Sequence, residues 1–224
     1  WGIYPGLQVG DKGVRNSIAW NAGVWELVEG HTIPIPYFHG NLVPMPYVLL
    51  KHKETGRLAW FINIHNPAST RGPAQHWRDV ATQKEIALMN ELQAPQSENQ
   101  LGIPTFLMGD FNEWWLWGHP LRWIKAMFGH APALPTFPSL RPVLPLDRIW
   151  IRPPAVLRDI CVHRTPQSAR ASDHLPLKAV VEWHPADLKP AEPATAGPQA
   201  QAEAAVPHPA GARPAAAPPR DPRE

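Results

Sequence analysis

Apolar and polar positions alternate with a period of two over several short stretches of the chain, and with a period near three and a half over one longer stretch. The segment YVLLKHKETGRLAWFINIHN (47–66) divides into two strand-like runs around Glu54-Thr55-Gly56-Arg57, where the glycine suits a hairpin turn with positive φ. SIAWN (17–21) and WELVEG (25–30) read as a strand pair, and TFLMGD (105–110), LDRIWIR (146–152) and LPLKAVVEW (175–183) read as further strands. The best helix is AQHWRDVATQKEIALMNELQ (74–93), with Trp77, Val80, Ala81, Ile86, Ala87, Met89 and Leu92 at steps of mostly three and four. Two segments resist this reading. The proline-rich HTIPIPYFHGNLVPMPY (31–47) predicts irregular extended backbone, an edge or a loop. EWWLWGHPLRWIKAMFGH (113–130), with four Trp, predicts a helix pair packed on a sheet; its rings would otherwise serve to stack on bases or dip into a lipid interface. Strands outnumber helices, and the hairpins call for mixed or antiparallel sheets.

Composition draws a boundary. Between Pro185 and Glu224, 10 residues are Pro and 13 are Ala, none is aromatic, and Leu188 and Val206 are the only large aliphatics. Such a segment buries too little apolar surface to offset its ordering entropy, which predicts a disordered Pro/Ala-rich tail over 185–224 and a single folded domain over 1–184. All eleven Trp lie in that domain. A net charge of +2 is too mild to single out nucleic acid as a partner. The single cysteine, Cys161, excludes an intrachain disulfide and a Cys/His zinc cage, so any metal would sit on oxygens and imidazoles. No run reaches the ~18 apolar residues of a membrane span. The chain opens on Trp1 and reads as a processed protein or a fragment, which leaves its compartment open.

Four strand boundaries carry candidate chemistry: Asn63-Ile64-His65-Asn66, Gly109-Asp110-Phe111-Asn112, Leu146-Asp147-Arg148-Ile149 and Ser172-Asp173-His174. An Asp-x-Asn at the end of a strand delivers both polar side chains to one face, because alternate residues point the same way. Together these stretches hold what hydrolysis of a phosphate ester requires. A hard divalent cation neutralises phosphoryl charge, a carboxylate or imidazole activates water, and a proton donor serves the leaving oxygen.

The ordered series FINIHNPAS, FLMGDFN, PLDRIWI and ASDHLPL resembles the endonuclease/exonuclease/phosphatase family over roughly residues 15–183. That resemblance implies an α/β (α+β) fold of the deoxyribonuclease I type: a four-layered sandwich of two mixed, mostly antiparallel sheets flanked by helices, with the active site at one edge of the sheets. It implies catalytic roles for His65, Asp110, Asp147 and His174. Asp147 would orient His174, Asp110 would position or activate water, and His65 would serve as general acid. Asn112, His65 and His174 would bind phosphate, and Asp173 and Asp110 would hold the metal, Mg²⁺ first, with Mn²⁺ or Ca²⁺ as alternatives. Arg78 stands where the family often has Arg; a surface salt bridge is the competing reading.

The resemblance is incomplete on its N-terminal side. No strand ending in Asn and no later strand ending in Gln-Glu is recognisable, so the chain reads as lacking its first strands and as a weak metal binder. The implied activity is metal-dependent hydrolysis of a phosphodiester or phosphate ester by in-line attack of water. A nuclease is favoured over a sphingomyelin-type phospholipid phosphodiesterase; a non-catalytic binding module is the rival from another class. The expected partner is the phosphate-ester substrate, nucleic acid or phospholipid head group, taken by a monomer with no stable protein partner.

Overall fold

In a computed structural model, the structure describes residues 1–6, 16–37, 41–68, 74–93, 103–115 and 118–182. The predicted tail lies outside them. Among the described residues, nine strands and three helices follow in the order β1 (Gly2–Tyr4), β2 (Ile18–Trp20), β3 (Trp25–Pro36), β4 (Leu42–His52), β5 (Leu58–His65), α1 (Ala74–Gln93), β6 (Thr105–Asp110), α2 (His119–Phe128), β7 (Asp147–Arg152), β8 (Val156–Val162), α3 (Pro166–Ala171) and β9 (Leu177–Glu182). The central sheet has the order β3-β4-β5-β6-β7, and β1-β2 and β8-β9 form two strand pairs. All pairings are antiparallel except β5 with β6, which α1 connects.

The alternation of side chains explains the layering. On one face of the central sheet, Ile62 and Ile64 of β5, Leu107 of β6 and Trp150 of β7 pack against Leu88 and Met89 of α1 and Leu121, Ile124 and Phe128 of α2. Their neighbours in sequence point the other way. Val48 and Leu50 meet Ile18 and Trp20 of β2, and Ala59 and Phe106 pack with Ala155 and partly buried Val181. The result is an α/β sandwich: helices, a mixed five-stranded sheet, and the two strand pairs on its far face.

Several expectations change in detail. SIAWN and WELVEG do not pair with each other; β2 pairs with β1, and β3 pairs with β4. The turn at Asn21, whose carbonyl accepts from Val24 N at 3.0 Å and Trp25 N at 2.9 Å, carries the chain from one sheet to the other. Of the two readings of the proline-rich 31–47, the edge holds and the loop does not: its described residues belong to the β3–β4 hairpin at the edge of the central sheet. Pro34 faces Pro44, Thr32 faces Pro46 and Pro36 faces Leu42, so all four prolines share one parity. Their missing N–H groups therefore fall on the outer sides of the two strands, and Ile33, Ile35, Val43 and Met45 are left to carry the ladder. Segment 113–130 contains one helix among the described residues, α2, rather than two.

The hairpin at 53–57 and the limits of α1 agree with expectation, with Gly56 at φ 69°. The buried stripe of α1, however, is Arg78, Ala81, Thr82, Glu85, Leu88 and Met89. That is a regular helical face with three polar members, and it makes Arg78 a buried residue rather than a surface one.

Candidate active site

Sheet register assembles the site. In the pairing of β5, β6 and β7, His65 lies opposite Asp110, and Asp110 lies opposite Asp147. The three residues form one rung across three strands. Their side chains share the face that carries Phe61, Met108 and Ile151, turned away from the helices. β5 and β6 end at this rung and β7 begins there, so polar side chains sit at the sheet's margin, where partial solvation lowers the cost of placing them. Close backbone approach is needed to hold the rung. Gly109 adopts φ 135°, and a Cβ at that position would lie 2.0 Å from the carbonyl oxygen of Ile64.

His174 reaches the rung from the segment before β9. Leu175 N donates to Thr136 O at 2.9 Å and Ser139 N to Asp173 O at 2.7 Å, a pair of bonds that ties this segment to residues 136–139. His174 N is held in turn by Ser172 Oγ at 3.1 Å. The imidazole Nδ1 lies 2.7 Å from Asp147 Oδ2, and Thr136 Oγ1 donates to the same oxygen at 2.5 Å. With Asp147 ionised, Nδ1 carries the proton and Nε2 faces Asp110 Oδ2 at 3.9 Å. His65 Nε2 approaches that same oxygen at 3.7 Å. Asp110 thus stands between two imidazoles, each too far for a direct hydrogen bond and near enough to share a bound water or phosphoryl oxygen.

Asn112 completes the pocket wall. It adopts φ 49°, which an Asx turn favours; its N–H donates to Asp110 Oδ1 at 2.8 Å. Its side-chain amide donates to Asp110 Oδ2 at 3.0 Å and to Asn66 O at 2.9 Å. Asp173 is exposed beside His174, and its carboxylate lies outside the cluster formed by Asp110, Asp147 and His174.

The electrostatics separate two roles. Burial pushes the Asp110 carboxyl above its ordinary range; the Asn112 N–H offsets part of this, the Asp147 charge adds to it, and the two histidines oppose it. For His174, burial disfavours the imidazolium, but the hydrogen bond and charge of Asp147, followed by the charges of Asp110 and Asp173, outweigh it and hold the group above its ordinary value. Asp110, Asp147 and His174 offer ligand atoms within 4.8 Å of one another. Two carboxylates suit a hard cation that takes the rest of its shell from water and phosphate oxygens, so the donor set fits a divalent ion.

Sequence reasoning missed four supports. Thr136 buttresses Asp147. The Phe137 ring stands 4.9 Å from the His174 imidazole, and the Tyr37 phenol donates to the carbonyl of His65. Glu113 is buried, accepts from Trp115 N at 2.9 Å, and pairs with Arg78 at 3.5 Å. Only Glu113, adjacent to Asn112, carried a positional hint.

A sandwich of a five-stranded sheet on two strand pairs, with strand ends converging on an Asp-supported imidazole, is of the deoxyribonuclease I-like α/β class. Residues 15–174 match the Endonuclease/Exonuclease/phosphatase family, and the chain belongs to it. Similar solved structures include a mannosyl-6-phosphatase from Bacteroides thetaiotaomicron, with 18% identity, a TM-score of 0.57, and coverage of 73% of this chain and 69% of that one. The catalytic domain of human Nocturnin, solved with a bound sulfate anion, is 20% identical with a TM-score of 0.55, over 73% of this chain and 62% of that one. D. rerio TDP2, complexed with a single-strand DNA product, is 12% identical with a TM-score of 0.50, over 71% of this chain and 69% of that one. No curated protein matches the sequence.

Proposed function

We propose that this chain is a metal-dependent phosphoesterase that hydrolyses a phosphodiester or phosphate ester by in-line attack of water. The observation that carries this reading is the single rung His65–Asp110–Asp147 meeting His174 across the sandwich. A divalent ion would be held first by Asp110, the carboxylate of the cluster that is not committed to His174, and would neutralise charge on the phosphoryl oxygens; Asp173, exposed beside His174, is the second carboxylate we assign to it. Asp110 orients the attacking water and accepts its proton as the new P–O bond forms. His174, held protonated by Asp147, stabilises charge on the phosphoryl group through Nε2, and Asn112 binds a second oxygen. His65 supplies the proton to the leaving oxygen as the old P–O bond breaks. Relatives of this fold act on a sugar phosphate and on DNA, so fold does not select the substrate. His65 favours a nucleic acid over a phospholipid.

The test is product release from DNA, sphingomyelin and bis(p-nitrophenyl) phosphate with Mg²⁺ or EDTA, using His174→Ala as control. Turnover abolished by EDTA and lowered at least ~100-fold by His174→Ala is expected. No EDTA-sensitive turnover on any of the three would overturn the reading and leave the binding-module alternative.

A further inference from the structure

Directly behind the rung, side-chain alternation turns Asn66 to the opposite face from His65, toward α1. Asn66 is fully buried, and so is Glu85, the polar residue of α1 that faces it. The Asn66 amide tempers the effect of burial on the Glu85 carboxyl, yet the two groups stop short of ideal hydrogen-bond geometry, and all four of their polar side-chain atoms are sealed from solvent with no other partner. The backbone of Asn66 is meanwhile fully engaged with the site. Its N–H donates to Asp110 O at 2.8 Å, and its carbonyl accepts from the Asn112 side chain at 2.9 Å.

We propose that Glu85 is a positioning residue: through the Asn66 side chain it fixes the peptide groups that aim Asp110 and Asn112, and it does so only while its carboxyl is protonated. This inference rests on the reading that Asp110 and Asn112 act in the site. A carboxylic acid and a primary amide complement each other, one O–H given to Oδ1 and one N–H accepted from Nδ2. An ionised carboxylate only accepts, so it sets a lone pair against Oδ1 and forces the amide to turn or the helix to shift. Burial pushes Glu85 up to about 8, so the acid form is the one present at neutral pH. The charged groups around it are committed elsewhere. Arg78, two helical turns away, pairs with Glu113, Lys84 is directed at Pro34 O, and on β7 the buried Arg148 donates to the carbonyls of Pro145 and Asp147. On the β5 side the facing group is Asn66, which carries no charge.

The test follows the side-chain amides of Asn66 and Asn112 by ¹⁵N NMR from pH 6 to 10 in the whole chain, wild type and Glu85→Gln. In the wild type both amides should move together with a midpoint near 8. In Glu85→Gln that phase disappears, and any shift that survives belongs to His174 and Asp110. Thermal melts give a second readout that does not depend on assignments. The folded state holds a proton that the unfolded chain releases above 4.5, so wild-type stability should fall between pH 4.5 and about 8, and Glu85→Gln should flatten that decline. Amides that do not titrate near 8 in the wild type, or a midpoint near 8 shared by both amides that persists in Glu85→Gln, overturn the proposal.

Turnover of bis(p-nitrophenyl) phosphate then separates the two readings. Glu85→Leu should lower kcat about 10-fold with KM little changed, and Glu85→Gln should recover most of the loss and keep only the alkaline decline that His174 sets. Wild-type protein without His174-dependent turnover counts against the function proposed above, whereas the NMR result decides the Glu85–Asn66 coupling by itself.

Discussion

At the scale of single residues, the site depends on which charges hold one imidazole. Burial works against the His174 imidazolium, and the balance is reversed first by the hydrogen bond that Nδ1–H donates to Asp147 and then by the charge of that carboxylate. Asp147→Asn removes the charge and leaves at most a weaker, neutral acceptor for Nδ1–H, beside the smaller effects of Asp110 and Asp173. The alkaline limb of the pH–rate profile should therefore move toward acid, with kcat down about 10- to 100-fold, the range for losing a partner that orients a reacting group. An unchanged limb would show that His174 does not titrate in the reaction. The residues that carry the proposed chemistry were legible because each is a polar side chain placed where an apolar strand stops, a pattern with few packing explanations. Thr136 and Glu85 were not, and Asn66 stood out only as the neighbour of His65, with no role of its own. A buried polar residue looks ordinary until its partner is known, and those partners lie well away along the chain or across a helix–sheet interface.

At the scale of elements, the strand pair β5–β6 is where geometry is least forgiving. Gly109→Ala would place a methyl group 2.0 Å from a backbone oxygen in a strand that cannot yield without parting the parallel ladder. A residue with a side chain also resists φ 135°. Denaturant titration should give a loss of at least ~2–3 kcal/mol, and because Asp110 is the next residue, turnover should fall as well. A loss below ~1 kcal/mol would mean that the ladder relaxes more easily than its register implies. Elements with strict alternation were read correctly, among them both strands of the hairpin at 53–57. β8 was not seen, because Arg158 and Asp159 stand together in mid-strand at a bulge between Leu157 and Asp159, which breaks the period. α3 has six residues and buries none, so it has no apolar stripe; its signals were the Thr165 cap, bonded by Ser168 N at 3.0 Å, and Pro166. The pairing of β2 with β1 could not be read locally, since partner choice depends on which strands the core later brings together.

At the scale of the whole molecule, the class of sandwich emerged from counting strand-like against helix-like segments and from the hairpins, and the resemblance placed the site at the sheet edge. The face of α1 did not emerge that way, because hydrophobicity points to Trp77, Val80 and Ile86 while the buried stripe runs through Arg78, Thr82 and Glu85. A helix that gives half its inner face to polar groups leaves the central sheet to supply most of the apolar contact, through Ile62, Ile64, Leu107 and Trp150. Stability should then reside in Trp1–Pro190, which forms one compact unit, and depend little on residues 191–224. Those residues contain no aromatic side chain and one large aliphatic, Val206, so they have almost nothing to bury. A chain ending at Pro190 should melt within ~2 °C of the whole protein, since 1 kcal/mol corresponds to roughly 2–4 °C at this size. Turnover should be retained too, because none of the proposed site residues lies beyond His174. A drop of more than ~4 °C would show that the stability of Trp1–Pro190 does depend on residues 191–224.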